Sequence, residues 1–355
     1  MSVLRKSTVA LVAQRAGVSV ASVSRVLNNL PASESIAAKV RKAAEELGYV
    51  PDAMARSLKV GRTEQIALAV ADVGNPVYVT MMHAVSEVVR EAGFRLVLSS
   101  TGNDPNDVVE LLDNLERGYA DGVILSPLRI TDEIIARLTS TRLPVVVIGS
   151  LPQGVLLDNV RADSRTGVDI AVARLKATGR KHIAFVNGPV DTVPGSARLT
   201  GYLAAMESRG LPTTADMQVE ASDFTYAAGL EAAQVLTAQA TPDAILCAND
   251  LLAVAVMKVI TSKGLRVPED VAIVGMDNTD LADHANPSIT SVDLGSAERA
   301  REAARLLLAR IEDPSRPSET TVVSPWLAER ESTAEGASRG KNVKARKPEL
   351  EEGVS

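Results

Sequence analysis

From Gln65 onward, seven short apolar runs alternate with helical segments: IALAVA, RLVLSS, GVILSP, PVVVIGS, HIAFVNG, AILCAND and VAIVGMD. The runs are continuous rather than alternating, as strands buried on both faces of a parallel sheet require. The stretches between them, such as YVTMMHAVSEVVREAG and LLAVAVMKVITSKG, are amphipathic and end in glycine. Repeated βα units of this kind predict a doubly wound α/β architecture. They are too many for one comfortable sheet, so two similar lobes are expected, dividing near residues 158–162. At 355 residues the chain also exceeds what a single simple core accommodates.

Residues 7–59 read differently. They are helical and basic in an otherwise acidic protein. Up to Val60 there are nine Lys and Arg against four Asp and Glu, a balance of +5. The whole chain carries −6, which leaves −11 on the remainder. A basic head on an acidic body is expected to meet a polyanion. Thr8 can cap a first helix whose Val9, Val12 and Ala13 share a face, and Gly17 stands where a tight turn would end it. Ser19 caps a second helix, with Val23, Val26 and Leu27 inward. Ser33 caps a third, carrying Ile36, Val40, Ala43, Ala44 and Leu47 at helical spacing. Gly48 stops it and Pro51 prevents its resumption. Two helices joined by a glycine turn make a helix-turn-helix, whose second helix would enter the major groove of DNA. Its outward positions are Val20, Ala21, Ser22, Ser24 and Arg25. The small residues allow close approach and contact with thymine methyls, while Ser22 and Arg25 can bond phosphates or bases. A similar pair of helices can also serve packing alone; the nearby Lys39, Arg41, Lys42 and Arg56 favour DNA.

Other classes are disfavoured. The first residues lack a secretory pattern and no run is long enough to span a membrane, so a cytoplasmic protein is expected. The single cysteine, Cys247, has apolar neighbours and reads as a core thiol. The three histidines, His83, His182 and His284, show no metal-ligand spacing. GASRGKN has one residue too few between its glycines, and no Ser or Thr after Lys341, for a phosphate loop. No catalytic residue, metal or cofactor is expected.

The stretch VAQRAGVSVASVSRVLNN, followed by AAEELGYVPDAMARSLK, closely resembles the head of the lactose/galactose repressor (LacI/GalR) family of bacterial regulators. AGVS, VSRVLN, LGYVP and ARSL occur in order and at the family's spacing. The resemblance extends to about Glu331. It implies an all-α helix-turn-helix head, residues 1–51, and a hinge helix and linker, residues 52–62. A two-lobed, type I periplasmic-binding-protein-like α/β core with doubly wound parallel sheets would span residues 63–333. Lobe 1 would comprise about residues 63–160 and 290–322, and lobe 2 about residues 161–289 and 323–333. A disordered tail would occupy residues 334–355. The implied DNA contacts are Thr8, Ser19, Val20, Ala21, Ser22, Ser24, Arg25 and Asn28 in the head, with Ala55, Arg56 and Leu58 in the hinge. Leu58 would wedge into the operator's central minor groove. The chain departs from the family pattern at Leu11, usually Asp, and at Ile36-Ala37, usually Thr-Arg.

Strand ends in such a core frame a ligand cleft. By resemblance the effector contacts are Tyr78, Arg198, Phe224, Asn249 and Asp277. Asn249 and Asp250 also read as caps of the helix that follows them, Asp250 more so. Phe224 could equally be core. A further family contact falls near Gly149 and Ser150, where this chain has no charged group. The implied protein is a homodimeric transcriptional regulator, foremost a repressor, that binds a pseudo-palindromic double-stranded operator. A small-molecule effector, a sugar or related metabolite, would control that binding, either as inducer or as corepressor.

Overall fold

The computed structural model of the chain describes residues 8–27, 30–50 and 62–334. The head and the core form separate compact units.

The head contains α1 (Val9–Ala16), α2 (Val20–Leu27) and α3 (Glu34–Glu46). Thr8 caps α1 by accepting the Leu11 amide at 3.4 Å. Gly17 ends it in the left-handed region, at φ 64°, which costs glycine nothing. Ser19 Oγ accepts the Ser22 amide at 3.1 Å. Ser33 precedes α3 as expected but makes no side-chain capping bond. Val12, Ala13, Val23, Val26, Val40, Ala43 and Ala44 form the buried centre of the three helices. Leu27, Ile36 and Leu47 pack against it while half-buried.

The core opens with β1 (Gln65–Val70), α4 (Pro76–Glu91), β2 (Arg95–Ser100), α5 (Pro105–Glu116), β3 (Gly122–Ser126), α6 (Asp132–Ser140), β4 (Val145–Ile148) and β5 (Asp158–Ala162). It continues with α7 (Ser164–Ala177), β6 (Ile183–Asn187), α8 (Val193–Ser208), β7 (Gln218–Glu220), α9 (Tyr226–Gln239) and β8 (Ala244–Cys247). Then come α10 (Asp250–Ser262), β9 (Ala272–Met276), α11 (Asp280–Asp283), β10 (Thr290–Asp293), α12 (Ser296–Glu312), β11 (Thr320–Val323) and β12 (Trp326–Ala328).

Two six-stranded sheets result, ordered β11-β5-β4-β3-β1-β2 and β12-β10-β9-β8-β6-β7. Every described pairing is parallel except β10 with β12. The seven apolar runs supply β1, β2, β3, β4, β6, β8 and β9. β1, β3, β4, β6, β8 and β9 are almost wholly buried, whereas β2 lies at a sheet edge and stays largely exposed. Each sheet sits in its own apolar core.

The lobe boundaries differ from those expected. β5 stays in the first sheet to its end at Ala162, pairing with β4 and β11. β10 belongs to the second sheet, not the first: Thr290, Ser291 and Val292 pair with Val274, Gly275 and Met276. The chain therefore recrosses only after Asp293, at Leu294 and Gly295. Gly295 takes φ 70° there, a backbone shape that favours glycine. After β12 the described chain ends in a short helical turn, Glu331–Thr333. Ser332 and Thr333 are buried, and Ser332 Oγ donates to the Ile273 carbonyl at 2.6 Å. Residues 335–355 lie outside the described residues.

Gly229, in the first turn of α9, faces α10. A Cβ there would lie 2.7 Å from the Ala255 Cβ and 3.1 Å from the Leu252 Cα, neither of which can swing aside. Gly229→Ala gains helix propensity but overpacks this contact, and overpacking dominates. We expect a net loss of about 1–3 kcal/mol, measured as a lower urea midpoint with an unchanged slope.

Candidate functional site

The carboxyl ends of both sheets open onto one cleft, a cavity of about 430 Å3. Tyr78, Arg198, Phe224, Asn249 and Asp277 all line it. Each is placed by a short local device. Tyr78 lies in the first turn of α4, whose cap Asn75 accepts the Val77 amide at 3.2 Å. Burial pushes the pKa of the Tyr78 hydroxyl up to about 12. Arg198 lies in α8, capped by Thr192, which accepts the Gly195 amide at 3.1 Å. Its Nη1 donates to the Ala248 carbonyl at 2.6 Å and its Nη2 lies 3.6 Å from the Asp277 carboxylate. The Arg198 Nε is buried with no hydrogen-bond partner among the described residues.

Phe224 is both core and cavity wall. Its ring packs over Gly188, where any side chain would collide with it. The Arg198 guanidinium carbon lies 5.8 Å from the ring centroid, within cation–π range. Asn249 is the cap of α10: its Oδ1 accepts the Leu252 amide at 2.9 Å and its Nδ2 donates to the Phe224 carbonyl at 2.9 Å. Asp250 is not the cap. It is the first helical residue, and its carboxylate accepts the Thr279 amide at 2.7 Å, the Thr279 hydroxyl at 2.8 Å and the Ser291 hydroxyl at 2.6 Å. Burial and the nearby Asp277 push its pKa up to about 7.

Asp277 follows β9 at φ 98°, a costly shape for a residue with a side chain. Burial raises its pKa, while Arg198 and Arg299 oppose that rise. Arg299 is a residue the sequence reading missed. It lies on α12, is buried, and faces the same cavity. A helix beginning SAER offered no signal, because only the fold turns that face toward the cleft. Gly149 and Ser150 also line the wall.

Beside the cavity the lobes are bonded to each other. Arg129 meets Asp191 through two bonds of 2.8 and 2.9 Å. Asn103 donates to Asp223 at 3.0 Å, and the Val193 amide donates to the Leu128 carbonyl at 2.8 Å. Arg129 holds the Asp191 carboxyl below its usual range.

In the head, Val20, Ala21 and Arg25 are exposed, while Ser22 and Ser24 are half-buried. Ser19 and Ser22 hydroxyls bond at 2.9 Å. Arg25 donates to the Pro31 carbonyl from Nε at 3.0 Å and Nη2 at 2.8 Å, so part of its guanidinium holds the α2–α3 loop. Lys39, Arg41 and Lys42 are exposed on α3. Asn28, Ala55, Arg56, Leu58 and the expected hinge helix lie outside the described residues.

Comparison with known proteins finds relatives of both the head and the core. Residues 8–52 match the model for bacterial regulatory proteins of the lacI family, and residues 172–333 match a periplasmic binding protein-like domain. The chain is 36% identical over 338 residues to the HTH-type transcriptional regulator CelR of Thermobifida fusca, covering 92% of this chain and 98% of that one. This chain belongs to the lacI family of bacterial regulatory proteins. It is also 34% identical over 327 residues to the ribose operon repressor of Escherichia coli K12, covering 90% and 97% of the two chains. The solved complex of CelR with cellobiose superposes with a TM-score of 0.70 at 34% identity, covering 92% of this chain and 99% of that one. Like its lacI-family relatives, the protein is a DNA-binding transcriptional regulator and not an enzyme. No helix among the described residues is long and apolar enough to cross a membrane.

The cross-lobe bonds generate a prediction. Arg129→Ala should leave stability within about 0.5 kcal/mol, as for other partly exposed ion pairs. It should speed effector release about 2–5-fold, the kinetic equivalent of a pair worth up to ~1 kcal/mol, measured by stopped-flow fluorescence. Because Asp191 titrates low, the wild-type pair contributes above the ordinary carboxylate range and is lost on acidification through the lowered pKa.

Proposed function

We propose that the cleft binds a sugar or related polyhydroxylated metabolite and that its occupancy controls the grip of the head on a pseudo-palindromic operator. The observation that carries this reading is the convergence of Tyr78, Arg198, Phe224, Asn249 and Asp277 on one cavity in a chain that also bears a helix-turn-helix head. Amide, carboxylate and guanidinium groups can bond several hydroxyls while an aromatic face stacks on a sugar ring. Relatives named for cellobiose and ribose support a carbohydrate.

In this reading two chains pair through their cores, and Val20, Ala21, Ser22, Ser24 and Arg25 of each read adjacent major grooves. Thr8, Ser19 and Asn28 bond the backbone, and Ala55, Arg56 and Leu58 of the paired hinges open the central minor groove. The protein works in the cytoplasm and joins the nucleoid when operator-bound. Effector closes or reorients the lobes and alters hinge spacing. By linkage, operator must weaken effector binding by the factor through which effector weakens operator binding, typically about 5–150-fold.

Selection of genomic fragments by the purified protein, followed by sequencing, tests the operator half. A protein indifferent to every fragment at modest salt would refute it. Leu58→Ala should cost operator affinity about 10- to 100-fold, from an unstacking wedge worth a few kcal/mol, and nonspecific affinity far less; gel-shift titrations on both duplexes check this. Arg198→Ala should leave operator affinity within about twofold and abolish release by effector, because each good charge-assisted bond in a desolvated site contributes ~1.5–3 kcal/mol. A normal effector response in that variant would count against the cleft chemistry.

A further inference from the structure

The cavity's hydrogen-bonding inventory is unbalanced, and the imbalance narrows the ligand class beyond a generic sugar. Four carboxylates line the wall: Asp72, Asp163, Asp223 and Asp277. Three are engaged by protein donors. Asp72 accepts the Gly74 amide at 2.8 Å. Asp163 caps α7, accepting the Thr166 amide at 3.1 Å and its hydroxyl at 2.7 Å. Asp223 accepts Asn103 at 3.0 Å and the Phe224 amide at 2.7 Å. Among the described residues the Asp277 carboxylate has no hydrogen bond, only the long 3.6 Å ion pair with Arg198 and the nearby charge of Arg299. Asp293, close to Arg299, has both oxygens engaged, by Asn278 Nδ2 at 3.0 Å and the Gly295 amide at 2.6 Å.

Four guanidinium groups line the same wall: Arg161, Arg165, Arg198 and Arg299. Arg198 is 7% exposed, and its Nε is buried with no hydrogen-bond partner among the described residues. Arg299 is 8% exposed and donates only to neutral acceptors, the Leu294 carbonyl from Nε at 3.1 Å and Ser296 Oγ from Nη2 at 3.1 Å. No side-chain hydrogen bond or ion pair engages Arg161 or Arg165 among the described residues, although both act through space on the Asp163 carboxylate. The wall thus offers many unbonded N–H groups against few unbonded carboxylate oxygens, those of Asp277 and the second oxygen of Asp72. A sugar hydroxyl donates as readily as it accepts and cannot correct that ratio. A carboxylate or phosphate accepts without donating and matches a guanidinium fork. Two buried guanidinium groups that share the Asp277 carboxylate also carry a desolvation cost that a further anion would offset.

We infer that the effector is an anionic sugar derivative whose carboxylate or phosphate is held by Arg299 and Arg198, with Arg161 and Arg165 drawing it toward the cleft. Asp277 then accepts from the ligand's hydroxyls. The inference rests on the sugar reading above and specifies the charge of the ligand.

Calorimetric titration of the full chain with three matched sets tests it: D-glucose, D-gluconate and glucose 6-phosphate; D-ribose, D-ribonate and ribose 5-phosphate; cellobiose and cellobionate. In at least one set the anion should bind about tenfold or more tighter than its neutral parent, the scale of one charge-assisted bond. The acid and phosphate arms separate the two sources of anionic group. Arg299→Met should bring that preference close to one, and Arg299→Lys should restore part of it. Circular dichroism checks that the variants are folded. If Arg299→Met fails to fold, Arg161→Gln on the exposed rim takes its place and should lower the anion association rate and its salt dependence. Neutral parents binding as tightly as their anions, no anion binding in any set, or an anion preference that survives Arg299→Met would each overturn the inference. A neutral sugar that releases operator DNA would overturn it while sustaining the sugar reading. If neither neutral nor anionic members release operator, both fail.

Discussion

Parallel strands buried on both faces leave nowhere inside the sheet for a polar side chain to do chemistry. Recognition is therefore pushed to the strand ends, where the backbone leaves the sheet and a helix begins. Almost every feature of the cleft follows from that constraint. Asn249 caps α10 immediately after β8, Asp277 stands just beyond β9, and Arg198 projects from the helix after β6. Because two such sheets share the same strand order, their ends face one gap, and one cavity collects side chains from both lobes.

The capping groups tie local folding to that gap. Asn249 uses its amide both to start a helix and to fix the Phe224 carbonyl. Behind it, Asp250 is held by Thr279 and Ser291, which anchors the turn that carries Asp277. The cleft floor is a network in which each polar group is oriented by a neighbour. Rigid donors of this kind lose little entropy when a ligand arrives, which leaves lobe motion as the main conformational variable.

Much of this was legible in the sequence, and the exceptions have physical reasons. The seven apolar runs gave their strands because continuous burial writes a continuous apolar pattern. β10 did not, since TSVD is half polar. Its Thr290 and Ser291 are buried only because distant polar groups satisfy them: Thr290 meets Ser332 and Thr333, and Ser291 meets Asp250. A pairing between residues some 40 apart leaves no local signature. Site residues placed just after a strand were readable from position alone. Arg299, set inside a helix, required the fold. The resemblance to a known family carried the choice of Arg198 and Phe224 over other polar and aromatic candidates.

The chain passes between lobes three times, after β5, after β10 and between β11 and β12. Three side-by-side connections behave as a strap rather than a swivel: they permit bending about the line joining them but resist independent spinning of the halves. A protease that severed any one crossover would leave the halves still joined by the other two. Limited nicking there would blunt how faithfully motion is transmitted well before it separated the pieces.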